Sequence, residues 1–111
     1  MAKKCLVSGL GIALREQQKR PVRIIHDVIL QGDAPKANIF GSIPAKKASA
    51  LNAAFINSAA SHSLDFDDLH NPSIIHPACV VVSPALAVCE AEHKSGKQLI
   101  AAICAGYEAS A

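Results

Sequence analysis

Titratable side chains are concentrated in one stretch of this chain, residues 62–76. The stretch holds three histidines and three aspartates, whereas the rest of the chain is rich in alanine and branched aliphatic residues. Burying such groups costs several kcal/mol each unless they are paired or in use. Clusters of imidazoles and carboxylates occur where protons are transferred or metals bind. The six residues of this candidate site are His62, Asp65, Asp67, Asp68, His70 and His76.

Three interpretations fit these residue types. An imidazole and a carboxylate could act as acid and base on a small carboxylic acid, because histidine titrates near neutrality and a carboxylate can orient its ring. Alternatively, the cluster could bind a divalent metal, since mixed histidine and aspartate sets suit zinc or iron. In the third, structural interpretation, Asp65 and Asp68 brace the loop while His70 and His76 are exposed. Residue types alone leave all three open.

Composition narrows the fold and the class of partner. The 111 residues suffice for one small domain, and the absence of tryptophan with only three phenylalanines favours close-packed helices over a β-sandwich. The net charge of +2 is small, and the basic residues are dispersed without aromatic neighbours. Neither feature is typical of nucleic-acid binding, so we expect no nucleic-acid partner.

Cysteine spacing and the first residues indicate the compartment. Cys5, Cys79, Cys89 and Cys104 form no Cys-x-x-Cys pair, so we expect small buried thiols in a reducing cytosol. The apolar residues 5–14 follow two lysines as in a secretory signal, but they lack a small-x-small cleavage site and are too short to span a bilayer. We therefore expect a cytoplasmic protein without membrane contact.

The elements that must position the titratable stretch are predicted to be helices. Apolar spacing predicts an all-α bundle of about five helices, with a connector at 36–44, extended around 37–40, and a loop at 64–76 broken by Asn71-Pro72. The five helices are expected at about 2–17, 21–30, 46–62, 77–92 and 95–111.

Local signals add detail to these helices. The helix at 46–62 is apolar nearly all round, which predicts a central position, with Leu51 and Phe55 on one apolar face together with His62 in the last turn. Gly9 and Gly11 would let a neighbour approach the first helix closely. Residues 31–35 contain a glycine and a proline that should end the second helix.

Two further signals concern the last two helices. Pro84 should either kink its helix or, with Ser83 as N-cap, restart it. Ser95 and Gln98 form a Ser-x-x-Gln capping box that predicts the start of the last helix. The chain ends inside that helix, which leads us to expect a piece of a longer protein.

The motif around the candidate site resembles a known family. Residues 53–70 have the sequence Ala-Ala-Phe-Ile-Asn-Ser-Ala-Ala-Ser-His-Ser-Leu-Asp-Phe-Asp-Asp-Leu-His, which resembles a hallmark of the MmgE/PrpD family. Residues 73–77, 84–87, 95–96 and 106–108 also match in order and at family-like spacing. The resemblance covers most of the chain, and its central motif is specific.

The resemblance implies a fold, an activity and partners. MmgE/PrpD members include 2-methylcitrate dehydratase and cis-aconitate decarboxylase, lyases that act on small polycarboxylates and use no metal or iron–sulfur cluster. Their fold is a large helical domain with a smaller lid domain, and they are typically homodimers. We therefore expect residues 1–111 to be one partial, all-helical N-terminal domain of such a protein, without cofactor, and a homo-oligomer.

The resemblance also implies site residues. Asp65 and His76 match family active-site positions, and we expect His76 to be the acid/base and Asp65 its partner or a substrate contact. Asp68 and His70 are weaker candidates for substrate binding. Leu69 departs from the family, where threonine is common, and so removes a hydroxyl donor.

The resemblance places a further catalytic histidine and the carboxylate-binding lysines beyond Ala111. Holding a polycarboxylate requires several cationic partners, so we expect the isolated chain to be inactive. A non-catalytic helical module that self-associates through uncovered apolar faces is one alternative. A metal-dependent hydrolase that uses the histidine and aspartate cluster is the other.

Overall fold

The computed structural model describes residues 1–29, 34–42 and 44–110 of the chain. Five helices dominate these residues, which confirms the all-α prediction, and a two-stranded antiparallel ribbon is added to them. The helices are α1 (Ala2–Glu16), α2 (Arg20–Ile29), α3 (Ala50–His62), α4 (Pro77–Ala91) and α5 (Gly96–Ser110). The strands are β1 (Ala37–Asn38) and β2 (Lys47–Ala48), in which Ala37 pairs with Ala48.

Helix α3 lies at the centre, as its apolar composition predicted. It packs against α1, α2, α4 and both strands, whereas α5 packs on α4 and α1. The apolar core has two parts. One lies between α1, α2, α3 and the ribbon, and the other lies between α4, α5 and the start of α1. Both parts of the core contact α4, and the loop of titratable residues leads directly into the first turn of that helix.

The predicted start of α3 was wrong, and its apolar faces are not all buried. Leu51 and Phe55 are exposed, and the buried face instead carries small side chains together with Ile56 and Asn57. The helix begins at Ala50 rather than near Lys46, because residues 47–48 pair with β1 and the Ser49 hydroxyl then accepts a hydrogen bond from the amide of Asn52 at 3.2 Å. An N-cap serine of this kind fixes where a helix begins.

Helix α4 continues through Pro84, so the predicted restart at Ser83 does not occur. Proline in a helix interior leaves the carbonyl four residues earlier without its N–H partner. That residue is Val80, and it is 57% exposed. Water can therefore take the place of the missing amide, which explains why the helix tolerates this proline.

Glycines face a neighbouring helix at two places, and one of them sets the spacing between helices. A Cβ on Gly9 would lie 3.7 Å from Val82 Cγ1, so Gly9 faces α4 as predicted, whereas Gly11 faces open space and the prediction for it was wrong. A Cβ on Gly106 would lie only 2.5 Å from Val81 Cγ1. Helix α5 therefore approaches α4 more closely than any side chain at Gly106 would allow.

The remaining helix boundaries follow their local signals. The capping box is confirmed: the amide of Gln98 donates to Ser95 Oγ at 3.3 Å, and the amide of Ser95 donates to Gln98 Oε1 at 2.9 Å. The second helix was predicted to end at residues 31–35; of these, 31–33 lie outside the described residues, and residues 34–35 are not helical. Within the described residues, no helix has both the length and the apolar character needed to cross a bilayer.

Candidate functional site

Two helix ends bring the candidate site together. His62 is the last residue of α3, and His76 directly precedes Pro77, the first residue of α4. The loop between them folds back so that the two imidazole rings lie 4.6 Å apart, centroid to centroid, with their planes tilted by 56°. Residues fourteen positions apart in the sequence thus become neighbours at one corner of the bundle.

Asp67 lies beside both rings, close to Nδ1 of each. Its side chain is 1% exposed, and its two carboxylate oxygens lie 3.0 and 3.1 Å from His62 Nδ1. Oδ1 also lies 3.2 Å from His76 Nδ1. An ionised carboxylate only accepts hydrogen bonds, so His62 Nδ1 is the donor. The contact to His76 lies within ion-pair distance but outside hydrogen-bond geometry.

Asp65 lies on the opposite, solvent side of His76. Its Oδ1 atom is 3.7 Å from His76 Nε2, and its side chain is 78% exposed. Its backbone has a φ of +54°, a left-handed conformation that aspartate adopts more readily than most residues. The predicted catalytic pair, Asp65 and His76, is therefore adjacent and reachable from solvent.

Both carboxylate oxygens of Asp68 accept hydrogen bonds from other parts of the protein. Its Oδ1 accepts a hydrogen bond from the amide of Ala78 at 2.9 Å, and its Oδ2 accepts one from the hydroxyl of Tyr107 at 2.6 Å. The first contact caps the start of α4 with a side chain from the loop. His76, which occupies the N-cap position, makes no side-chain cap itself. Burial and the Asp68 contact raise the pKa of Tyr107 well above its ordinary value. The geometry matches the bracing role that the structural interpretation gave to Asp68.

His70 lies apart from the cluster. Its Nδ1 is 2.6 Å from Ser73 Oγ, and its backbone pairs with Ile75 in an antiparallel bridge that closes the turn. Ile74, in that turn, has a φ of +55°. Substrate binding by Asp68 and His70 stays a prediction, and the structure gives both residues contacts within the loop.

A cysteine thiol lies under the cluster. Cys79 is buried in the first turn of α4, and its thiol donates to the carbonyl of His76 at 3.1 Å. Burial, followed by the negative charges of Asp67 and Asp68, raises the pKa of this thiol to about 11. The thiol therefore stays protonated near neutral pH. Because only the thiolate is a good nucleophile or metal ligand, the protonated Cys79 is a poor one.

The donor set of the cluster is also compatible with a metal ion. One ligand atom from each of His62, Asp65, Asp67 and His76 can be chosen so that all four lie within 4.8 Å of one another. Two imidazoles and two carboxylates suit zinc or non-haem iron. The same four side chains could thus serve proton transfer or metal binding.

Sequence reasoning found Asp65 and His76 but did not assign site roles to His62 and Asp67. A signal for His62 was present, because a histidine that ends a helix just before a loop of aspartates must lie near that loop. The burial of Asp67 had no signal. It lies between two other aspartates of the same motif, and only the fold distinguishes them.

Of three comparisons with known proteins, one gives a match. No curated protein and no solved structure matches the chain. The family model described as the MmgE/PrpD N-terminal domain matches residues 1–111. The specific motif around Asp65 and the helical fold agree with that match. The chain belongs to the MmgE/PrpD family, whose N-terminal domain it represents.

Proposed function

We propose that this chain contributes the acid/base residue of a lyase that acts on small polycarboxylates. The observation that carries the proposal is the position of His76, whose Nε2 lies beside the exposed Asp65 while its other nitrogen faces the buried Asp67. One nitrogen of the ring thus faces a buried carboxylate, and the other faces a carboxylate on the solvent side. This is the arrangement that a proton-transfer residue requires.

Either lyase reaction would use His76 in the same place. In a dehydration, a base removes the proton next to a carboxylate, the C–O bond breaks, and an acid protonates the departing hydroxyl to give water. In a decarboxylation, the C–C bond breaks, CO₂ leaves, and an acid protonates the remaining carbon. His76 Nε2 would accept or deliver the proton, and Asp65 would orient the ring or contact the substrate.

The chain by itself should bind such a substrate without converting it. In the part of the chain that the structure describes, no lysine or arginine forms an ion pair with Asp65 or Asp67. A polycarboxylate is oriented for reaction by cationic partners. Because these cationic partners are missing, we expect no turnover of 2-methylcitrate or cis-aconitate by the purified chain and only weak binding, which a ligand concentration well above the Kd is needed to detect. Detectable turnover would contradict this expectation.

Thermal unfolding with and without citrate or cis-aconitate tests the binding. The protein is first stripped of metal with EDTA, which is then removed by dialysis. A ligand at about ten times its Kd stabilises the folded state by about 1.4 kcal/mol and raises the Tm of a domain of this size by roughly 5–10 °C. We expect this rise in the native chain.

Two histidine variants make the test specific. The rise should disappear in His76→Gln and persist in the control His93→Asn. His93 is exposed between α4 and α5 and has a φ of +52°, which asparagine tolerates. The proposal fails if tricarboxylates leave the Tm of the native chain unchanged, or if both variants keep the rise.

Metal-dependent hydrolysis is the second candidate function, and the spacing of the four donor atoms favours it. In the same experiment, Zn²⁺ alone would then raise the Tm of the stripped protein. His62→Gln should reduce that rise, because it removes one of the four ligands. A rise with metal and none with tricarboxylate would replace the lyase proposal with this one.

A further inference from the structure

The buried carboxylate of Asp67 must be satisfied inside the protein. At 1% exposure it has almost no access to water, and a buried carboxylate without partners is strongly destabilising. The ring nitrogens close to it are Nδ1 of His62 and Nδ1 of His76. The thiol of Cys79 is a further donor beside this carboxylate, because both the charge of Asp67 and a hydrogen bond to it raise the pKa of the thiol. The carboxylate is therefore satisfied by donors on the two imidazoles together with the thiol.

The position of His76 Nδ1 fixes which nitrogen carries the proton. This atom is buried, and its nearest charged neighbour is Asp67 Oδ1 at 3.2 Å. In the neutral ring one nitrogen carries a proton and the other carries a lone pair. A lone pair on Nδ1 would face the lone pairs of the carboxylate and be repelled, whereas an N–H there is attracted. A small rotation of the ring would align the hydrogen bond, as catalytic contacts often do when substrate binds.

We propose that Asp67 is a positioning residue that holds His76 with its proton on Nδ1, so that Nε2 is the nitrogen that exchanges protons with the substrate. The catalytic meaning of this inference rests on the proposed function. Its structural part stands on the burial of Asp67 and on the two nitrogen–oxygen distances.

His62 holds the carboxylate in place. Its Nδ1 lies almost equally far from both Asp67 oxygens, at 3.0 and 3.1 Å. Because His62 ends α3 while His76 precedes α4, the carboxylate joins the two helix ends through their imidazoles. The orientation of Asp67 is thereby fixed independently of His76, which a positioning group requires.

The arrangement has a consequence for proton transfer. When Nε2 takes a proton from a substrate, the ring becomes a cation with N–H groups on both sides. Asp67 then compensates the new charge at Nδ1, and Asp65 faces the newly protonated Nε2. The buried aspartate keeps the ring basic at one defined nitrogen, and the exposed aspartate lies where the proton arrives or departs.

The experiment is a long-range ¹H–¹⁵N correlation spectrum of the chain labelled with ¹⁵N-histidine, recorded at about pH 9, where an ordinary imidazole is neutral. The spectrum shows directly which ring nitrogen is protonated, and His76→Gln identifies the His76 signals by their loss. We expect His76 with a protonated Nδ1 and an unprotonated Nε2. The opposite tautomer in the native chain, with the proton facing Asp65, would overturn the inference; the variant serves only to assign the signals.

Two aspartate variants then assign the cause. Asp67→Leu removes the acceptor while roughly filling its space, and it should move the His76 proton to Nε2. The matched control Asp65→Asn should leave the proton on Nδ1. An unchanged tautomer in folded Asp67→Leu would show that Asp67 does not set it.

The outcome is independent of substrate binding. Protonated Nδ1 without any tricarboxylate effect on the Tm would sink only the proposed function. A Tm rise together with a protonated Nε2 would sink only the role of Asp67.

Discussion

The three aspartates of the motif have three different surroundings within four positions. Asp65 is exposed in a left-handed backbone conformation, the side chain of Asp67 is buried beside two imidazoles, and Asp68 accepts hydrogen bonds from a backbone amide and a tyrosine. Identical side chains thus serve as solvent-facing carboxylate, buried acceptor and helix cap. The loop geometry assigns these roles, because adjacent residues in a turn point in different directions.

Tyr107 provides a test at the scale of one residue. Its pKa is raised in the folded chain above the ordinary value of 10.0, by burial first and then by the Asp68 contact. The folded state therefore holds the phenol proton more tightly than the unfolded state does. The resulting stability is fully present below about pH 10 and is lost as the pH rises above that value.

We expect the tyrosinate absorbance to appear only when the chain unfolds at alkaline pH. Tyr107 is the one tyrosine of the sequence and there is no tryptophan, so the absorbance signal is unambiguous. Circular dichroism recorded in parallel should lose its helical signal in the same pH range. Ionisation of Tyr107 near pH 10 in a chain that is still helical would contradict the expectation.

At the scale of elements, apolar spacing and caps located the helices well. Ser95 and Gln98 fixed the start of α5, and Pro77 stands at the start of α4, where proline is favoured. The start of α3 was missed because a two-residue strand pair, which depends on contact with distant Ala37, outweighs the helix propensity of residues 46–48. Contacts between distant segments leave little trace in local sequence.

In the candidate site, too, local sequence signals predicted some features, whereas contacts between separated residues could not be predicted. The motif identified Asp65 and His76 through the family resemblance, and the structure brings them to 3.7 Å. The contact between Asp68 and Tyr107 spans thirty-nine positions and could not be predicted from spacing. The burial of Asp67 could not be predicted from spacing either. In a loop, unlike a helix or a strand, no regular repeat tells which side chains point inward.

Packing of α5 against α4 is tested by a glycine pair. Gly106→Ala should destabilise the fold, because the added methyl group would lie 2.5 Å from Val81 Cγ1 and force the helices apart. Overpacking of this kind costs about 1–3 kcal/mol. Gly11→Ala is the matched control: it is also within a helix but faces open space, and it should stabilise by up to about 1 kcal/mol.

Urea unfolding of the two variants gives the comparison directly. The midpoint should fall for Gly106→Ala and rise slightly for Gly11→Ala. Equal midpoints would mean that α5 does not pack on α4 at the distance seen here.

At the scale of the whole molecule, apolar side chains remain on the surface. Phenylalanine, leucine, isoleucine and valine residues are more than half exposed on several elements, and where such residues form a contiguous patch they mark surfaces that bind other proteins. These residues are Val7, Leu14, Ile24, Val28, Leu51, Phe55, Phe66, Leu69, Ile74, Val80 and Val88. The predicted homo-oligomer would cover part of this area.

Light scattering coupled to size-exclusion chromatography tests self-association. We expect a mass above the 11.6 kDa of one chain, increasing with concentration. Phe55→Asp should lower that mass, since Phe55 lies 54% exposed beside exposed Leu51 on α3. Circular dichroism should show unchanged helix content, because the Phe55 side chain is not in the core. A mass of one chain at every concentration would contradict the prediction.

The two hydrogen bonds of Asp68 have a consequence for the evolution of this family. Asp68 joins the loop, the first turn of α4 and the end of α5, so its loss would damage folding whatever reaction the protein performs. The side chain of Asp65 is 78% exposed and faces the ring of His76. In a descendant that has lost the reaction but still folds, selection would keep Asp68 and release Asp65. If Asp65 and His76 act as proposed, an aspartate at position 68 of a related sequence reports inheritance of the fold, whereas an aspartate at position 65 reports retention of the chemistry.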